Sequence, residues 1–317
     1  MDVLFLSQRD VEELIDVGTL LGELEAGFGQ LSAGAVSAPD RNELAMPAEA
    51  FLLGMPGHRA GSDMTVKVVT VFEQNLTRAT GLPSHLAVIC MFDAETGACR
   101  AFIDGTHITA IRTSASAAVS ARLLARADAR VLTILGAGVQ GEQHLRSFPL
   151  VRDFEEIRIG SLYREDAERL AATDPRGRAI EDFEAAVRSS DVVALSSHAG
   201  EPIIRPEWVR PGTHVSSVGY KPPRGELPRA LAESGSLFVE TRIAFEPPPV
   251  GCAELQGLDP ASATELGEVV NGARPGRRSP DEVTVYKAMG HVIEDMVAAD
   301  LAVRTAQERG VGQVLSM

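Results

Sequence analysis

Between Arg130 and Glu240 the apolar residues come in short unbroken runs, separated by stretches with helical spacing. Val131-Leu-Thr-Ile-Leu135, Glu156-Ile-Arg-Ile159, Asp191-Val-Val-Ala-Leu195, His214-Val-Ser-Ser-Val218 and Ser236-Leu-Phe-Val-Glu240 read as buried strands. Glu142–Phe148, Glu165–Ala172 and Asp182–Arg188 read as the helices between them. Apolar strands that alternate with helices predict a parallel sheet covered on both faces, so this part is a doubly wound α/β domain.

The first hundred residues follow another pattern. Asp10 to Gln30 is spaced as one amphipathic helix, with Val11, Leu14, Ile15, Leu20, Leu21, Leu24 and Phe28 on its apolar face. Val66–Phe72, His85–Phe92 and Cys99–Ile103 read as strands, the last two joined by a hairpin loop at Asp93-Ala-Glu-Thr-Gly97. These elements predict an α+β domain. Thr106 is placed as the N-cap of an Ala- and Ser-rich helix that runs to Ala125 and suits close packing. Glu246-Pro-Pro-Pro249 and Ala273–Pro280 are loops, and Thr284 to Glu308 reads as one long helix.

The most informative segment is Gly136-Ala-Gly138-Val-Gln-Gly141, between an apolar strand and the start of a helix. That order suits a dinucleotide pyrophosphate. Gly136 permits the tight turn, Gly138 lets the backbone approach phosphate, and Gly141 lets helix and strand pack closely. The helix N-terminus adds free N–H groups and partial positive charge.

At 317 residues the chain is long enough for two domains. Its net charge of −14 argues against nucleic acid or an anionic membrane surface as partner, so a bound anion must meet a local concentration of Arg and Lys. No stretch is long enough to span a bilayer and none reads as a signal peptide. Cys90, Cys99 and Cys252 form no CxxC pair, and the histidines have no metal-ligand spacing, so neither a disulfide framework nor a metal site is expected. A reducing cytoplasm fits.

Taken alone, Lys67 is a charge inside an apolar strand, either an edge-strand gatekeeper or a functional group. Arg112 is either an ion-pairing or a functional residue, and Arg41 reads as a solvated loop arginine. Several segments together, however, resemble the ornithine cyclodeaminase/μ-crystallin family. They are Val66-Lys-Val-Val69, Asp93–Gly97, Asp104-Gly-Thr-His-Ile-Thr-Ala-Ile-Arg-Thr113, Gly136-Ala-Gly-Val-Gln140 and Val285–Asp295, spread over nearly the whole chain. The resemblance implies a homodimer with a substrate-binding and dimerisation domain over residues 1–115, completed by a C-terminal helix at about 296–317. It implies a Rossmann domain for NAD(H) or NADP(H) over residues 116–295. Members include cyclodeaminases, alanine dehydrogenases, cyclic ketimine reductases and thyroid-hormone-binding crystallins.

By the same resemblance Arg41, Lys67 and Arg112 hold a substrate carboxylate. An arginine offers a planar fork, while a lysine can also hand over a proton, and Lys67 is the expected proton donor. Ser84, Arg112, Thr113, Gly136, Gly138, Val139, Gln140, Ser196, Ser217 and Met289 are implied at the cofactor. Two departures matter. In cyclodeaminases the segment after the fifth Rossmann strand carries an Asp for the amine chemistry. Here Ser217-Val-Gly-Tyr-Lys-Pro-Pro-Arg-Gly-Glu-Leu227 puts Tyr220 or Lys221 there, with no acid before Glu226. Ornithine-binding members also place a Glu before Leu-Met-Pro, where this chain has Leu52-Leu-Gly-Met-Pro56. The expectation is therefore an NAD(P)H-dependent oxidoreductase that interconverts a small imino acid and an amino acid. A cyclising lyase is the alternative, and a μ-crystallin-like ligand-binding protein a further one. The second apolar Rossmann strand ends without an acid for the ribose hydroxyls, and Ser161, Tyr163 and Arg164 are placed to hold a 2′-phosphate. NADP(H) is favoured on that ground, with NAD(H) as the other option.

Overall fold

The computed structural model describes residues 1–47, 50–76 and 80–317. They divide into two compact units, Met1–Arg112 with His291–Met317, and Thr113–Gly290. In chain order the strands are β1 (Asp2–Leu6), β2 (Val36–Ser37), β3 (Asn42–Ala45), β4 (Phe51–Arg59), β5 (Met64–Val71), β6 (His85–Phe92), β7 (Cys99–Asp104), β8 (Val131–Leu135), β9 (Glu156–Gly160), β10 (Gly177–Ile180), β11 (Val192–Leu195), β12 (His214–Ser217), β13 (Ser236–Val239), β14 (Thr264–Glu265), β15 (Thr284–Lys287) and β16 (Gln313–Ser316). The α-helices are α1 (Gln8–Leu14), α2 (Val17–Ser32), α3 (Gly105–Leu124), α4 (Val139–Ser147), α5 (Arg164–Ala171), α6 (Phe183–Arg188), α7 (Arg229–Ser234), α8 (Leu266–Val270) and α9 (Val292–Arg309).

The first unit is built on one sheet, ordered β16-β1-β7-β6-β5-β4-β2, with β3 also on β4. Only β1 and β7 pair in parallel; the other pairs are antiparallel. Asp93–Gly97 is the turn between β6 and β7, as its sequence predicts. The single helix expected over Asp10–Gln30 is two. Ser7 closes a capping box on α1, and the Asp16 side chain accepts from the Thr19 amide at 2.8 Å to start α2. A short acid that bonds its own following backbone ends one helix and opens the next. Ile15 carries the apolar pattern across that break, which hides it.

Helix α9 packs on β4, β5 and α2. Glycine makes the close approach possible: a Cβ at Gly57 of β4 would lie 2.7 Å from Met296 Sδ and 2.9 Å from Val292 Cγ1. Helix α3 is capped by Asp104, whose carboxylate accepts from the His107 amide at 2.8 Å. Thr106, expected in that role, instead accepts from the Ala87 amide at 3.0 Å.

The second unit is a parallel sheet ordered β10-β9-β8-β11-β12-β15-β13-β14. The chain leaves β8 toward β9 and β10, then returns to β8's other side for β11 and β12, which makes the doubly wound order. Every residue of β11, β12 and β15 is buried, so both faces are covered. The Ala and Ser pattern of α3 has the close-packed role expected of it: Ser116 Oγ lies 2.6 Å from Tyr286 Oη and Ser120 Oγ lies 3.1 Å from His214 Nε2.

Thr284–Glu308 is not one helix. Thr284-Val-Tyr-Lys287 forms β15, and α9 begins only after His291. The strand's β-branched and aromatic residues suit a fully buried position. His291 then opens α9 with a capping box, its ring accepting from the Ile293 amide and Glu294 reaching back to the His291 amide. Gly57→Val should force α9 off β4 and lower stability by about 1–3 kcal/mol, read as a loss of Tm. An unchanged Tm would contradict the packing described.

Candidate active site

The first unit buries an ionic cluster. Lys67 lies on β5, which runs between β4 and β6, so it is no edge-strand gatekeeper. Its side chain is 1% exposed and its Nζ donates to Asp295 Oδ1 at 2.9 Å. Arg112, also buried, donates through Nε to the same oxygen at 3.1 Å and through NH1 to Glu294 Oε2 at 2.7 Å. Both acids sit in the first turn of α9, where the helix dipole also favours negative charge. Arg41 is half-buried and its charge bears on His291, as does that of Arg112.

Glu294 and Asp295 are the residues that sequence reasoning missed. The available signal was two adjacent acids within the apolar run Val292-Ile-Glu-Asp-Met-Val297. Two unpaired carboxylates would not be buried there, so the run implies partners elsewhere. The basic cluster is accordingly less positive than Arg41, Lys67 and Arg112 alone suggest, since two carboxylates stand against three cations.

Burial lowers the Lys67 pKa to about 8, with Arg112 as the second cause and Asp295 as the main opposing one. Proximity to arginine is thus secondary to desolvation. Near neutrality most Lys67 side chains are protonated, yet the proton is easily given up. Asp295 Oδ2 is buried and makes no hydrogen bond among the described residues. His291 is buried and its pKa falls to about 4 through desolvation, so the ring is neutral at pH 7.

In the second unit, β8 ends at the switch in strand order, where ligands of open parallel sheets bind. Each motif glycine has a separate reason. Gly136 has φ +129°, and a Cβ there would lie 2.4 Å from the Ser196 carbonyl oxygen. A Cβ on Gly141 would lie 2.0 Å from the Gly136 carbonyl oxygen. A Cβ on Gly138 would meet nothing within 4 Å. Gly138 is also the N-cap of α4 and makes no side-chain cap bond. A bare glycine with open space at a helix N-terminus fits the pyrophosphate of a dinucleotide. Val139 is exposed and Gln140 half-buried on the first turn.

Ser196 follows β11 and sits against the Gly136 turn, its Oγ 3.4 Å from the Gly136 carbonyl oxygen. Ser217 is buried and committed elsewhere: its Oγ donates to Glu226 Oε1 at 3.0 Å. Glu226 also accepts from the Ser197 amide and hydroxyl, both at 2.7 Å, and from the Gly219 amide at 2.7 Å. Lys287 donates to the Gly219 carbonyl at 2.6 Å and pairs with Glu254 at 2.8 Å. The acid in the loop after β12 is therefore fully engaged. Lys221 lies 3.1 Å from His198 Nε2, and Tyr220 is half-buried. Met289 is held through its amide by Glu240 at 3.0 Å. Ser161, Tyr163 and Arg164 gather at the end of β9, while Thr113 opens the second unit and Ser84 precedes β6 in the first.

A sequence model of the ornithine cyclodeaminase/mu-crystallin family matches residues 1–310. Ketimine reductase mu-crystallin of Mus musculus is 37% identical over 94% of this chain and 95% of its own length. The structure of Thermococcus litoralis Delta(1)-pyrroline-2-carboxylate reductase in complex with NADH and L-proline superposes with a TM-score of 0.90 at 32% identity, covering 98% of this chain and 99% of that one. An archaeal alanine dehydrogenase dimer with bound NAD gives a TM-score of 0.87 at 26% identity, covering 100% of both chains.

The chain has three lysines, of which Lys67 and Lys287 are fully buried, so lysine NMR resolves them readily. The Lys67 side-chain resonance, assigned by its loss in Lys67→Met, should titrate near pH 8. Asp295→Asn removes the main group that supports the charge and should move that midpoint lower. A midpoint near 10.5 in the parent protein would contradict the burial and pairing described.

Proposed function

This chain belongs to the ornithine cyclodeaminase/mu-crystallin family, and we propose that it is a nicotinamide-dependent oxidoreductase that interconverts a small imino acid and the corresponding amino acid. The observation that carries this reading is the combination of two buried, geometrically fixed cations, Lys67 and Arg112, with a loop after β12 whose one acid, Glu226, is saturated. A cyclising lyase needs an acid or base at the amine and a partner for a second ammonium. A reductase needs a carboxylate clamp and one proton.

In this reading Arg41 and Arg112 present N–H forks to the substrate carboxylate, and Lys67 adds a point charge. Glu294 and Asp295 keep Arg112 and Lys67 in place before substrate arrives. Lys67 supplies the proton to the imine nitrogen, because its lowered pKa puts donor and acceptor forms within reach near neutrality. Bound at the Gly136–Gly141 turn, the nicotinamide dinucleotide supplies the hydride. Gly138, Val139 and Gln140 would hold its phosphates at the helix N-terminus. Within the second unit Thr113, Ser196, Ser217 and Met289 complete the cofactor surroundings, Ser217 through its backbone and its tie to Glu226.

The choice between NAD(H) and NADP(H) rests on the end of β9. The preference for NADP(H) drawn from Ser161, Tyr163 and Arg164 requires an arginine available to a phosphate, and Arg164 is engaged by Glu168 and Glu181. The first unit is the substrate-binding and dimerisation part and the second the nucleotide-binding part. A homodimer is supported by the dimeric alanine dehydrogenase. No helix among the described residues is long and apolar enough to cross a membrane. A cytoplasmic site of action fits three cysteines that form no disulfide.

Incubation with reduced nucleotide and a panel of cyclic and linear imino acids should give turnover that consumes the nucleotide. Its kcat/KM should fall as pH rises through about 8, since Lys67 must be charged to donate. Lys67→Met should cost about 10²–10⁴-fold in rate. Conversion of ornithine to proline and ammonia, with no imino acid reduced, would contradict the proposal.

A further inference from the structure

Strands β9 and β10 pair in parallel and in register, with Gly160 opposite Ile180 at their ends. Ser161 and Glu181 therefore leave the sheet side by side. Arg164, three residues beyond Ser161, donates through Nε to Glu168 Oε1 at 2.7 Å and through NH1 to Glu181. One guanidinium thus carries two carboxylates. Arg169, the next cation along α5, is itself paired with Asp166 at 2.6 Å. Glu165 on α5 and Asp182, the N-cap of α6, add further negative charge.

In dinucleotide folds the end of the second strand reads the adenosine ribose: an acid there takes the two hydroxyls, and an arginine accommodates a 2′-phosphate. In this chain β9 is that strand, and it ends without an acid of its own. The adjoining strand supplies one. Resting on the nucleotide-binding reading above, we infer that Glu181, with Glu168, cancels the charge of Arg164 and makes this site select NAD(H) over NADP(H).

The physical reason is the sum of charges the phosphate would meet. A phosphate group brings about two negative charges to a place where one guanidinium is already shared by two carboxylates. To bind, it must take Arg164 from both acids and lie beside them afterwards. A free 2′-hydroxyl brings no charge and donates a hydrogen bond to either carboxylate. These groups are solvent-exposed, so their pairing adds little to fold stability and acts mainly on what binds beside them.

The test is a fluorescence titration of the full-length protein with NADH and with NADPH, at low and at high salt. The parent protein should bind NADH more tightly. Glu168→Gln combined with Glu181→Gln should tighten NADPH about tenfold, weaken NADH because its hydroxyls lose a carboxylate acceptor, and lose much of the NADPH gain at high salt. Adding Arg164→Ala to the double variant should remove the gain, whereas Arg164→Ala alone leaves two unpaired carboxylates and should weaken NADPH further. A parent protein that prefers NADPH, or a double variant with an unchanged ratio, would overturn the inference. Failure of the parent to bind either nucleotide would instead overturn the nucleotide reading on which it rests.

Discussion

The placement of Lys67 and Arg112 inside the first unit depends on two carboxylates at the start of α9. Neither cation could be held there alone, because an unpaired buried charge costs several kcal/mol. Glu294 and Asp295 provide the partners only if α9 lies tight against β4 and β5, and Gly57 permits that approach. Packing and chemistry are therefore one constraint: the helix that fills the core also carries the charges that fix the basic groups. Replacing the cluster with apolar residues of similar volume would be neutral or stabilising on general grounds. Its retention is better explained by what the cations do than by what they add to stability.

The second unit applies the same principle around a different set of groups. Glu226 gathers donors from the segments that follow β11 and β12, and Lys287 on β15 holds the Gly219 carbonyl while Glu254 balances its charge. Buried charges here tie together loops at the carboxyl ends of adjacent parallel strands, where an open sheet binds its ligands. A saturated network of this kind rigidifies its loops. It also commits both Glu226 oxygens to neighbouring donors, so the loop after β12 offers no free carboxylate.

The parts of the molecule legible in its sequence were those set by local sterics or by short-range periodicity. The glycine turn was readable because each of its three glycines answers a separate steric demand. The parallel strands were readable because full burial leaves continuous apolar runs. The helix break at Ile15 and Asp16 was hidden by an apolar residue that kept the period. Strand β15 has no period of its own in the sequence, because four residues before a long helix rarely declare one. Resemblance to known proteins brought Lys67 and Arg112 forward. Their counterparts stayed out of view because the pairs join residues 228 and 182 positions apart, a distance over which local pattern carries no information. Glu181 is hidden for a related reason, since it reaches Arg164 only through the register of β9 and β10.

The central claim is that Lys67 and its neighbours receive a carboxylate, and the lysine's own titration reports on that directly. Its side-chain resonance can be followed against pH in the presence of saturating nucleotide, with L-proline added as a small amino acid and pyrrolidine as its carboxylate-free counterpart. A carboxylate placed beside Lys67 favours the charged form, so proline should raise the midpoint above about 8 and pyrrolidine should leave it where it was. A midpoint that proline does not move, although proline binds, would place the substrate carboxylate elsewhere and contradict the account.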